Sequence, residues 1–319
     1  MDKIIAKLNS AKSIAVFPHK NEDPDALGSC FALALALRSI GKEVVIYVSG
    51  AVEKRLDFMG HDYVPYDCDA QYEYDLCVCV DCGSLERIGE RADLFNQIGN
   101  TVNIDHHYSN TLFADENFVD GDASSAGQII YELLMKMNIE ITKEIAQQLY
   151  TAICSDTGCF KYSNVSPKTM MIAAELLKLD IDNAEIARLL FESESLVAVQ
   201  LKAEVAGRIE SYYDGKLRMV AMTSDLYKKY NISEVDAPNL VDIPRMIENT
   251  EIAVCFKEQT DGIRINLRSN GECDVSVLAD KFGGGGHIKA AGCTVKDMSL
   301  KEIKERIVEE CSYLKEYRI

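Results

Sequence analysis

Two short apolar runs in this chain each lead into a cluster of imidazole and carboxylate side chains. Residues 13–17 precede His19-Lys20-Asn21-Glu22-Asp23-Pro24-Asp25, and residues 101–104 precede Asp105-His106-His107. Runs of this length and composition read as buried strands. Ligand sites in open α/β sheets lie outside the C-terminal ends of the strands, so the two clusters would converge on one site there. Mixed Asp and His donors suit a borderline-hard divalent cation, Mn²⁺ in particular.

The rest of the first half keeps the same alternation. Residues 26–39 read as a small-residue, Leu-rich helix, 44–48 as a β-branched strand and 76–80 as a further buried strand. Ile129, Ile130, Leu133, Leu134 and Met137 recur at helical spacing, and more helices are expected through 146–153 and 169–177. Strands alternating with helices predict an α/β fold with a doubly wound parallel sheet. The second half reads differently. Residues 217–222, 252–257 and 263–267 look like strands separated by turn residues, a glycine run follows at 283–286, and Ser299-Leu300-Lys301-Glu302 is a capping box opening a C-terminal helix. This predicts a smaller mixed α+β domain. The expected division is residues 1–192 as one domain, 193–206 as a helical connector and 207–319 as the second domain. A chain of 319 residues is long enough for two such cores.

Charge and cysteine usage narrow the function. Residues 1–199 hold 16 Lys+Arg against 31 Asp+Glu, whereas residues 200–319 hold 18 against 20. Non-specific binding of long nucleic acid depends on many Lys/Arg–phosphate contacts, so this surface argues against it. A short phosphorylated substrate is not excluded, because bound cations would invert the local field. The eleven cysteines are odd in number and most sit in apolar runs, as reduced core residues do. Cys79 and Cys82 form a C-x-x-C with no second pair to complete a zinc site. No apolar run is long enough for a membrane span, and the N-terminal residues lack signal-peptide character, so a cytoplasmic setting is expected.

His19, Asp23 and Asp25 fall on the turn from first strand to first helix. Asp25 also reads as that helix's N-cap, although a cap alone does not account for three potential ligands within seven residues. Asp81 ends a third strand, where it reads either as a turn initiator or as a bridging carboxylate. His106 and His107 leave their strand in different directions, so one can ligate metal while the other reaches substrate. Asp156 sits just past a predicted helix, in a turn closed by Gly158 or against a cation. Of the five histidines, His61 reads as a surface residue. Gly283, Gly284, Gly285 and Gly286 precede His287. Such a run is either a flexible loop or a set of unobstructed N–H groups for an anion. Arg268-Ser269, ending a strand, offers a bidentate phosphate donor.

Together these residues resemble the DHH phosphoesterase family over essentially the whole chain. The first motif, usually H-x-x-P-D-G-D-A-x-G-S, matches His19, Asp23, Asp25, Ala26, Gly28 and Ser29, with Glu22 and Pro24 in place of the usual Pro and Gly. Asp81, then Asp105-His106-His107, then Asp156-Thr157-Gly158 match the following motifs. Arg268-Ser269 and the glycine run with His287, Ala290, Ala291 and Gly292 look like the DHH-associated C-terminal domain.

The resemblance implies a phosphohydrolase using two Mn²⁺, with Mg²⁺ or Co²⁺ as substitutes, acting in the cleft between its domains. It assigns His19, Asp23, Asp25, Asp81, His106 and Asp156 as ligands, Asp81 bridging. It also implies that His107 contacts the scissile phosphate, that Asp105 orients a neighbouring His, and that Arg268, Ser269, Gly284, Gly285, Gly286 and His287 hold substrate. The chain's size and lack of membrane segments suit the nanoRNase/pAp-phosphatase type, acting on short oligonucleotides and pAp. A soluble phosphodiesterase for cyclic di-AMP or linear pApA is the alternative, and a nucleotide sensor without catalysis the third reading. Oligomeric state is left open, a homodimer included.

Overall fold

Six strands, β1 (Ser13–Phe17), β2 (Glu43–Val48), β3 (Val64–Pro65), β4 (Leu76–Val80), β5 (Thr101–Asp105) and β6 (Glu116–Val119), build the first sheet of the computed structural model, which describes residues 1–50, 52–234 and 237–315. All five pairings are parallel and the order is β3-β2-β1-β4-β5-β6. Every residue of β4 and β5 is buried. Helices cover both faces, and that is why these strands read as continuous apolar runs. Ile14, Val16, Val78, Val80, Val102 and Ile104 pack into one core with the helices Pro24–Ser39, Ala126–Lys136 and Lys143–Asp156. Ala15, Phe17, Cys77 and Cys79 point to the opposite core with Ile88, Leu94 and Phe95. The cysteines are free, and Cys77, Cys79 and Cys82 act as small buried apolar groups.

Two local expectations are corrected here. The first long helix starts at Pro24, and its N-cap is Asp23, whose Oδ1 accepts from Ala26 N at 3.0 Å. Asp25 therefore lies inside the first turn. The helix Lys143–Asp156 is longer at both ends than its apolar pattern, so Asp156 belongs to its last turn and Thr157 caps it. Polar end residues extend a helix without adding to its apolar period.

The chain divides into two compact units, Met1–Ser193 and Glu194–Ile319. The second contains β7 (Glu210–Tyr212), β8 (Leu217–Met222), β9 (Ile252–Gln259), β10 (Gly262–Ser269), β11 (Gly285–His287) and β12 (Ala290–Val295), in the order β11-β12-β10-β9-β8-β7. This sheet is mixed: β8 and β9 are parallel and the other pairs antiparallel. Leu217, Met219, Val254, Phe256, Ile265 and Leu267 pack on one face with Ile303 and Ile307 of the C-terminal helix Leu300–Glu310. Val220, Met222, Ala253 and Cys255 pack on the other with Leu201 and Val205 of the helix Leu196–Ala206. The glycine run is not a loop throughout, since Gly285 and Gly286 belong to an edge strand. Gly286 has φ of +147°, and a Cβ there would fall 2.5 Å from Ala290 O, so only glycine allows β11 to lie this close to β12. Among the described residues, no helix is long and apolar enough to cross a membrane.

Candidate metal centre

Strand order in the first sheet reverses between β1 and β4, so their C-terminal ends open the crevice where ligands bind in folds of this kind. His19 lies just beyond β1, Asp81 just beyond β4, and His106 just beyond β5. His19 Nε2 is 3.3 Å from Asp23 Oδ2 and 3.6 Å from Asp81 Oδ2. His106 Nε2 is 3.4 Å from Asp81 Oδ1, 3.8 Å from Asp25 Oδ2 and 3.9 Å from Asp156 Oδ2. All six residues read from the sequence as ligands thus meet at one place. They compose overlapping donor sets: His19, Asp23 and Asp81; Asp25, His106 and Asp156; and Asp81, His106 and His107, with the donor atoms of each set within 4.8 Å of one another.

Asp81 is common to two of these sets. Its φ is +61°, a left-handed conformation uncommon for a residue with a side chain. Its carboxylate is buried, and Oδ1 accepts no hydrogen bond. In the metal-free protein this oxygen is met by the imidazoles of His106 and His107, at 3.4 and 3.5 Å, and a buried carboxylate oxygen without a hydrogen bond favours a cation beside it. The donors, all carboxylate oxygen and imidazole nitrogen, fit a divalent metal.

The imidazoles show how much negative charge is gathered here. Burial favours neutral His106, yet the carboxylates of Asp81, Asp25 and Asp156 outweigh it and raise its pKa to about 11. His19 rises to about 10, because Asp23 and Asp81 likewise outweigh burial. Burial, reinforced by neighbouring carboxylates, pushes Asp156 up to about 6 and moves Asp25 well above the usual carboxylate range.

A second layer of contacts holds these groups in place. Asp25 reaches across the fold to the start of the Ala126–Lys136 helix: Oδ2 accepts from Ala126 N (2.7 Å) and Oδ1 from Gly127 N (3.0 Å) and Ser29 Oγ (3.2 Å). A Cβ on Gly127 would fall 2.6 Å from the Ala152 Cβ, so glycine lets the two helices and Asp25 meet. His107 Nδ1 donates to Asp105 Oδ1 at 2.7 Å, which fixes the tautomer and the orientation of the ring. Asp105 is fully buried, and its other oxygen accepts from Asn110 Nδ2 at 2.5 Å. Asp105 therefore fixes the His107 ring against the loop that carries Asn110. Asp105→Asn should lower kcat about 10- to 100-fold with metal affinity nearly kept, the range found for residues that orient a site's imidazoles. A loss confined to KM would assign Asp105 a different role.

Sequence reasoning missed Asn110, which also donates to Cys82 O at 3.0 Å and so joins the loop after β5 to the loop after β4. It also left Glu22 unexplained. Glu22 is buried and turned away from the ligands; Oε1 accepts from Ser49 N (2.8 Å) and Ser49 Oγ (3.1 Å), with Arg91 Nη1 3.8 Å away. Arg91, also fully buried, donates to Tyr47 O and Ile88 O. Glu22 thus ties the His19–Asp25 turn to the end of β2. Its pairing partners lie 27 and 69 positions downstream, so no local signal marks them.

The remaining predicted residues lie in the second unit. Arg268 of β10 pairs with Ala290 of β12, which pairs with His287 of β11. Directly opposed residues share a face, so Arg268 and His287 stand on one face in one row, roughly 10 Å apart at two strand spacings. Gly285 and Asn266 share that face through Gly292. Ser269 is buried and its N–H donates to Lys289 O at 3.0 Å.

Residues 13–153 match the family described as "DHH family, N-terminal domain", and residues 218–313 match the DHHA1 domain. A probable bifunctional oligoribonuclease and PAP phosphatase NrnA from Streptococcus mutans is 31% identical over 94% of this chain and 94% of its own length. The chain belongs to the DHH family. The bifunctional oligoribonuclease and PAP phosphatase NrnA of Thermus thermophilus is 29% identical, over 93% of this chain and 88% of the relative. A crystal structure of an exopolyphosphatase-related protein from Bacteroides fragilis superposes with a TM-score of 0.90 at 27% identity, covering 99% of this chain and 97% of that one.

Proposed function

We propose that this DHH-family chain is a hydrolase of phosphate esters that uses two Mn²⁺ to degrade very short oligonucleotides and to dephosphorylate pAp. One observation carries the reading: the donor sets His19–Asp23–Asp81 and Asp25–His106–Asp156 flank a buried Asp81 whose Oδ1 has no hydrogen-bond partner. The names of the Streptococcus mutans and Thermus thermophilus relatives support the substrate class. Divalent cations bound there would polarise the phosphate and bring a water's pKa near neutrality. Asp105 orients the His107 ring, and His107 would donate to a non-bridging phosphate oxygen. Arg268 and His287, with Ser269 and the side-chain-free segment Gly284, Gly285 and Gly286 beside them, hold the distal phosphate and set register without reading sequence; the Gly284 N–H itself is taken by Ala279 O at 3.0 Å. The acidic surface selects against long chains, and a cytoplasmic setting suits eleven free cysteines.

The test is a product assay with pAp, pApA, cyclic di-AMP, and RNAs of about five and about forty nucleotides, each with Mn²⁺, Mg²⁺ or Co²⁺. Turnover of pAp and the short RNA, falling steeply with length, is expected. Turnover of cyclic di-AMP or pApA alone would favour a dedicated dinucleotide phosphodiesterase. Equal kcat/KM on the two RNAs would refute size selection.

Metal-free protein, kept in chelator, should show a particular pH dependence. His19 and His106 hold protons to about pH 10 and 11 in the fold but release them near 6.5 when unfolded. Their stabilisation is complete below pH 6.5 and is lost as pH rises through those folded values. Asp156, which titrates at about 6 rather than 3.8, acts in the same direction at lower pH. The Tm should therefore fall steadily from pH 6 to pH 10. A flat or rising Tm over that window would mean that the imidazoles do not carry the carboxylate charge.

A further inference from the structure

Tyr108 follows His107 directly, yet none of the roles assigned above uses it. It is 72% exposed, a large value for an aromatic ring beside a buried polar centre. Its orientation is fixed on two sides. The hydroxyl donates to Asp122 Oδ1 at 2.6 Å. The ring lies against the bare backbone of Gly121, where a Cβ would fall 2.3 Å from Cε1 and 2.4 Å from Cδ1.

The segment beneath the ring is tied to the metal centre at both ends. Asp120 N donates to Asp105 O at 3.0 Å, and the N–H groups of Ala126 and Gly127 donate to Asp25. Tyr108 is thus an aromatic surface held in a set place at the rim of the site, with most of its ring open to solvent.

We propose that Tyr108 is a nucleobase platform, stacking the base of the nucleotide whose phosphate is held at the metal centre. This rests on the phosphohydrolase reading and adds a specificity-determining residue to it. Every base has a π-face, so such a platform favours nucleotides over other phosphate esters without selecting a sequence.

Linear pApA and two analogues, each with one adenine removed to leave an abasic site, test the proposal. Tyr108→Ala should lower kcat/KM on pApA roughly 5- to 150-fold, mainly through KM. Tyr108→Phe keeps the ring and should keep the activity. Gly121→Val, whose side chain takes the ring's place, should reproduce the alanine defect. On one of the abasic analogues the effect of Tyr108→Ala should vanish, because the base that stacks is gone. Unchanged KM on pApA, or the same loss on both abasic analogues, would overturn the proposal. Binding of a non-hydrolysable pApA analogue, measured by calorimetry on metal-loaded protein, separates the two readings. A wild-type protein that binds the analogue yet turns over none of pApA, pAp and the short RNA would sink the hydrolase reading, while Tyr108 would stand or fall on the Kd of Tyr108→Ala. Failure to bind it at all would overturn both.

Discussion

Asp81→Ala should abolish turnover while leaving the fold in place. Asp81 is common to two donor sets, so its loss disrupts both at once. Metal ions in such sites supply several kcal/mol of transition-state stabilisation, so a loss of at least about 10³-fold in kcat is expected. Stability should change far less. The left-handed backbone at φ +61° disfavours alanine by roughly 1–2 kcal/mol. Removing Asp81 takes away a charge that raises the pKa of Asp25 and Asp156, which relieves crowding in the metal-free protein, and also a charge that holds protons on His19 and His106, so the two electrostatic effects oppose each other. Asp81→Asn separates the two effects, because asparagine tolerates the left-handed region and carries no charge. Both variants should unfold near the wild-type Tm in chelator and gain little Tm from Mn²⁺. Near-wild-type turnover of Asp81→Ala at saturating Mn²⁺ would end the dinuclear proposal.

Arg268→Ala and His287→Ala should separate substrate holding from metal binding. Both residues belong to the second unit, and every proposed metal ligand belongs to the first. The register of β10, β12 and β11 places them in one row on one face, a geometry suited to two points on the same substrate. Loss of one charge-assisted hydrogen bond costs roughly 1.5–3 kcal/mol, which is about 10- to 150-fold in kcat/KM. If both contact the same phosphate, the double variant should lose less than the product of the single losses. Metal content should stay at the wild-type level in all three proteins, whereas His106→Ala should lower it. Stripped metal or an unchanged kcat/KM in either single variant would remove the second unit from the proposed phosphate-holding role.

Parts of this architecture are legible in the order of residues alone. Residues 13–17, 76–80 and 217–222, read as strands from their apolar runs, coincide with β1, β4 and β8. These strands are covered on both faces or bounded by turn residues, so their limits are written in local composition. The two-residue β3 and the glycine strand β11 have no such pattern. They exist because a neighbouring strand supplies their hydrogen bonds.

The same distinction runs through the site. From sequence alone came the donor types, their order along the chain and their positions at strand ends, because a buried apolar run that stops at His or Asp must deliver that side chain to the sheet edge. The roles of individual carboxylates depended on the tertiary structure. Asp23 takes the helix cap that Asp25 could have taken, since Asp25 is drawn to the N–H groups of residues 126 and 127, a hundred positions away. Glu22 finds its partners on Ser49 and Arg91, and Asp105 its own on His107 and Asn110. Local sequence dictates propensity and caps, but burial and hydrogen-bond supply come from distant segments. Those two terms decide which carboxylate is satisfied by protein and which, like Asp81, is left an oxygen for a cation.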